Sequence, residues 1–139
     1  MDEQYWPFSV IPLESQTSKH RAEIAFLEAA YDAGFRPYTF GAGSYGAASG
    51  NRYGLIIVRT RSFWELRIGT TEADGLAAYV GSFEVASDSV LRWLRGGTLS
   101  EILEFVRPQL VPCGSWSSGY RLGGLADAFY EPSEVKPLV

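Results

Sequence analysis

The chain has 139 residues, 46% of them apolar and 20% charged, with a net charge of −4. This is globular usage rather than disordered, collagen-like or membrane usage, and at this length one core can bury roughly two-thirds of the surface an unfolded chain exposes. The negative charge opposes general binding to nucleic acid or anionic membrane, which are both polyanions. A solitary cysteine, Cys113, and a solitary histidine, His20, exclude an internal disulfide and a Cys/His zinc site.

Residues 1–17 carry Tyr5, Trp6, Phe8, Val10, Ile11 and Leu13, interrupted by Pro7 and Pro12. The prolines deny this stretch a helix or a central strand, so an extended arm is expected. It opens with Asp2 and Glu3 and shows no basic segment followed by an apolar one. No run in the chain approaches the roughly 20 apolar residues of a spanning helix, so a cytoplasmic protein without membrane contact is expected. From Ser18 to Ala33, Ile24, Leu27, Ala30 and Tyr31 recur at three- and four-residue spacing, the pattern of an amphipathic helix. Thr17 or Ser18 can cap its start, and Gly34 can supply the left-handed residue after its end.

Arg36 to Phe40 reads as a short strand running into the low-complexity segment Gly41 to Gly50, expected as loop. Leu55 to Arg59 is a continuous apolar run ending on arginine. Phe63 to Ile68 then alternates, with Trp64, Leu66 and Ile68 on one face and Phe63, Glu65 and Arg67 on the other. Residues 60–62 are too few for anything but a turn, which predicts an antiparallel hairpin. A third strand is predicted over Ala78 to Val85, with Tyr79, Phe83 and Val85 on one face and Gly81 marking a bulge. A second helix follows from Ser87 or Asp88, carrying Val90, Leu91, Trp93 and Leu94 until Gly96-Gly97 stops it. Thr98 and Glu101 have the spacing of a capping box and open a third helix with the stripe Leu99, Ile102, Leu103 and Val106, halted at Pro108. The expected fold is α+β: a small antiparallel sheet of three to five strands, with one N-terminal and two C-terminal helices packed mainly on one face. It forms a single domain over 18–111, with the arm at 1–17 and a loop-rich tail over 112–139 packing on the same domain.

Several constellations bear on chemistry. Gly41, Gly43 and Gly46 have dinucleotide-loop spacing and, with Ser44 and Tyr45, make a candidate ligand loop, but the motif needs a helix opening on the glycines and here a strand follows. His20 sits between Lys19 and Arg21 without an orienting acid, and Cys113 has no activating base in view, so neither reads as catalytic. Glu65 with Glu84 is the carboxylate pair a small hydrolase would need, if both lie on neighbouring strands. In the group Arg59, Arg61 and Arg67, hairpin pairing brings Arg59 or Arg61 near Arg67 on one face, where like charges require an offset. That offset is either internal, from Glu65, Glu84 or the acidic tail residues Asp127, Glu131 and Glu134, or an anionic partner. With Phe63 and Trp64 these arginines form the candidate partner- or anion-binding set. The tryptophans and Phe63 exceed what one face of a small sheet buries, so the arm and tail, a partner or a second copy must cover the rest.

The expected function is therefore non-enzymatic: a binding protein that docks to or occludes a protein partner, as toxin-immunity and phage or bacterial defence-modulating proteins do, with a homodimer as the self-association form. The alternatives are a small-ligand or nucleotide-binding domain, taking a phosphorylated small molecule on the glycine loop and arginine patch, and a hydrolase with a carboxylate pair. No cofactor and no metal are expected.

Overall fold

A computed structural model describes residues 18–39, 44–59, 63–70, 74–112 and 117–124. Helix α1 (Ser18–Asp32) leads into strands β1 (Arg36–Thr39), β2 (Ser44–Ser49), β3 (Arg52–Val58), β4 (Trp64–Thr70) and β5 (Asp74–Val80). Helices α2 (Phe83–Leu94) and α3 (Leu99–Val106) and a 3-10 turn over Arg107–Gln109 follow, and strand β6 (Tyr120–Gly124) closes the described chain. The fold is α+β, with a six-stranded antiparallel sheet in the order β1-β2-β3-β4-β5-β6 and three helices.

Strand alternation sorts the side chains. Tyr45, Ala47, Ile56, Leu66, Ile68, Leu76, Ala78 and Val80 share one face and join a single core cluster with buried side chains of all three helices, among them Phe26 and Leu27 of α1, Val90 and Trp93 of α2, and Ile102 of α3. Contact is closest where α2 crosses β3: a Cβ on Gly54 would stand 2.7 Å and 2.9 Å from the two Val90 methyls, so the bare glycine lets the helix seat. At the C-terminal end of α2 the exposed carbonyls carry partial negative charge, and Arg52 meets them. Its Nη1 donates to the carbonyls of Trp93 and Gly97, both at 2.7 Å, and its guanidinium lies 4.0 Å from the Trp93 ring centroid. Trp93 in turn donates its indole N–H to the Gly69 carbonyl of β4 at 3.0 Å, which ties helix, strand and arginine together.

The capping box forms as the sequence indicates: Thr98 Oγ1 accepts from the Glu101 N–H and the Glu101 carboxylate accepts from the Thr98 N–H. Five expectations are corrected. The sheet has six strands, not three to five. Ser44–Ser49, expected as loop, is β2, because β1 and β3 hydrogen-bond it from both sides and the ladder supplies what its Gly/Ala-rich residues lack. The third strand runs over Asp74–Val80 rather than Ala78 to Val85, and α2 starts at Phe83 rather than near Ser87. Ser82, extended at φ −136 and ψ 131, accepts the Val85 N–H as N-cap, and Phe83 buries edge-on against Phe26 and Trp64. Gly81 is the residue after the strand, its N–H donated to the Gln109 carbonyl, and not a bulge. Lastly, Tyr120–Gly124 within the loop-rich tail is a strand, docked on β5.

The arm over 1–17, Gly41, Gly43, Arg61, Cys113 and the tail acids Asp127, Glu131 and Glu134 lie outside the described residues. Among the described residues, no helix is long and apolar enough to cross a membrane.

Candidate functional site

The sheet face opposite the helices gathers the sequence's arginine set. The register there aligns Ile57 with Glu65 and Tyr79, and in the next row Leu55 with Arg67, Ala77 and Arg121. Arg59 follows directly on β3, diagonal to Glu65 across the hairpin. The result is a clamp on one carboxylate. Arg59 donates from Nε and Nη2 to Glu65 Oε1 at 2.8 Å and 2.5 Å, and Arg67 donates from Nε to Oε2 at 2.5 Å. Glu65 is 1% exposed, whereas the two arginine side chains keep 19% and 15% of their surface. Two guanidiniums converge on one carboxylate, and the bonds fix the direction in which each fork points.

Aromatic packing stiffens the neighbourhood. Phe63 meets Tyr79 edge-to-face at 5.8 Å between centroids, and with Ala77 and Val111 they form a small second apolar cluster. Tyr53, Leu55 and Ile57 extend it along β3 as half-buried side chains. Of the candidate set, then, Arg59, Arg67 and Phe63 share this face. Trp64 does not, because alternation turns it to the helix side, where it packs on Phe83 at 6.1 Å. Arg121 and Leu55 join the face without having been singled out from sequence. Arg121 sits in a glycine-rich stretch with little strand signal, and Leu55 lies in an apolar run whose faces periodicity alone does not separate.

The ligand-loop residues part company in the same way. Gly46 is a mid-strand residue opposite Leu55, and Ser44 opens the strand, so the glycine spacing leads into a β-ladder and not a helix N-terminus. Tyr45 points into the core. Burial, then the charge of nearby Glu23 and the hydrogen bond to it, push its phenol up to about 12. Glu23 is itself 2% exposed, so this is a buried tyrosine–carboxylate contact between α1 and β2. The carboxylate pair is also taken apart: Glu65 lies on the outer sheet face, while Glu84 is exposed in the first turn of α2 on the other side and accepts from Ser82 Oγ. His20 lies in the first turn of α1. Among the described residues, no group of three His, Cys, Asp or Glu side chains is placed to hold a metal ion.

Comparison with known proteins adds no relative: no protein-family model, no curated protein and no solved structure matches this chain.

Proposed function

We propose that this chain is a non-enzymatic binding protein that docks a protein partner on the outer face of its sheet, with acidic side chains of that partner meeting the arginines. The observation that carries this reading is the clamp on Glu65. A guanidinium already held by a buried carboxylate loses little conformational freedom when a second anion meets its remaining N–H groups, so ordering costs less than for a mobile arginine. Around it stand Tyr53, Leu55, Ile57 and Phe63, the mixture of aromatic, aliphatic and arginine side chains that is enriched at the centres of protein interfaces. Arg36, Arg67 and Arg121 extend the positive charge along the same face in a chain whose net charge is −4, which favours a carboxylate-bearing protein over nucleic acid. Occlusion of a partner's own site, the way a toxin-immunity or defence-modulating protein acts, requires no reacting group on this chain.

The test is native mass spectrometry of the full-length chain purified from its own cells, beside Leu55→Asp and Arg121→Glu variants. Leu55 lies directly opposite Arg67, and Arg121 stands two strands further along the same row. The expected result is a discrete complex with one acidic protein, weakened at least tenfold by each variant, while circular dichroism and the melting temperature stay those of the parent. A complex indifferent to both substitutions, or a chain that carries no partner, ends this reading.

A further inference from the structure

We infer that β6 is a self-pairing edge, through which two copies of this chain join antiparallel about a two-fold axis at Leu122. The inference stands apart from the outer-face reading. In the sheet order, β6 is the last strand, and among the described residues no strand lies beyond it. Its backbone groups have a definite direction. Tyr79 donates its N–H to the Gly119 carbonyl at 2.8 Å, so this is a bonded pair, and antiparallel pairs alternate. Arg121 and Gly123 therefore exchange bonds with β5, and the N–H and C=O of Tyr120, Leu122 and Gly124 point to the outer edge, where the Tyr120 carbonyl also accepts from Ser118 Oγ at 3.2 Å.

Leu122 itself is 49% exposed, although its cross-strand neighbour Leu76 is completely buried. It is one of the two large apolar side chains that the described residues leave exposed, the other being Tyr31 on α1. An edge strand of a stable monomer is commonly blunted by lysine, proline or a bulge. β6 has no lysine, proline or bulge, its one charge being Arg121: its sequence is Tyr-Arg-Leu-Gly-Gly, and its register with β5 is unbroken.

The sequence of β6 also complements itself. Leu122 is its middle residue, so an antiparallel pair centred there uses the whole strand, with the outward-pointing groups bonding one another. Tyr120 then faces Gly124 of the second copy and Arg121 faces Gly123, so each bulky side chain meets a glycine. The two Leu122 side chains meet each other. Moving the axis to Arg121 preserves the bonding parity but sets guanidinium against guanidinium, which is unfavourable. The intervening registers break parity, since they oppose an outward-pointing residue with an inward-pointing one. Two such short strands bury less than about 1,200 Å², so the dimer belongs to the weak, concentration-dependent class.

The decisive experiment pairs sedimentation velocity over a wide concentration range with site-directed cross-linking of the full chain in a Cys113→Ser background. The parent should rise from the mass of one chain toward that of two, and Leu122→Asp should weaken association by roughly tenfold or more at an unchanged melting temperature. Leu122→Cys should oxidise quickly to a covalent dimer, because Cα atoms in a bonded antiparallel pair stand about 5.5 Å apart, within disulfide reach. Tyr120→Cys, on the same edge but opposite Gly124, should not. A chain that stays monomeric throughout, a dimer untouched by Leu122→Asp, or Tyr120→Cys cross-linking as fast as Leu122→Cys would each overturn the proposal.

Discussion

Glu65 shows how far a single residue could be read ahead of the fold. Alternation alone places Glu65 and Arg67 on one face, since they are two apart in a strand. Arg59 reaches the same carboxylate only because the hairpin closes with Val58 opposite Trp64, which sets Arg59 diagonal to Glu65. The sequence left Glu65, Glu84 and the tail acids equal as counter-charges, and among the described residues geometry decides for Glu65 over Glu84. Breaking a buried pair by removing one partner costs about 3–5 kcal/mol, but these guanidiniums keep some access to water, so Glu65→Gln should cost about 2–3 kcal/mol. Urea denaturation of the variant measures this. A loss below about 0.5 kcal/mol would mean that the arginines find water as readily as the carboxylate.

Among the elements, those with strong local signals are recovered and those that lean on neighbours are not. Helix α3 carries its own start signal in Thr98 and Glu101 and its own stripe, so its limits follow from sequence. Helix α2 misleads because Tyr79, Phe83 and Val85 carry the two-residue spacing of one strand face across Gly81 and Ser82. Phe83 and Val85 favour strands locally, yet Ser82 caps and Phe83 finds a pocket between Phe26 and Trp64. β2 and β6 are rich in glycine and alanine, with weak strand propensity, and become strands through hydrogen bonds from β1, β3 and β5. The seating of α2 on β3 gives a direct check. Gly54→Ala should destabilise by about 1–3 kcal/mol, because its methyl would intrude on Val90, and in the Val90→Ala background the same change should cost far less. Equal losses in the two backgrounds would show that the clash is not with Val90.

At the scale of the whole molecule, the buried Tyr45–Glu23 contact couples folding to alkaline pH. The folded phenol titrates at about 12 against 10.0 for the free side chain. The stability it contributes is complete below pH 10 and is lost as pH rises toward 12, because the unfolded chain releases the proton first. Chemical denaturation across this window should show a fall in stability for the parent that Tyr45→Phe flattens; parallel curves for the two proteins would deny the coupling. By itself the sequence determined the α+β class, the β3–β4 hairpin with its two faces, and the capped α3, because each rests on periodicity or on a signal within a few residues. The tertiary structure alone decided the number of strands, the start of α2, the separation of Trp64 from the arginines and of Glu65 from Glu84. Each of those depends on a partner distant along the chain, whose hydrogen bonds or packed side chains outweigh local preference.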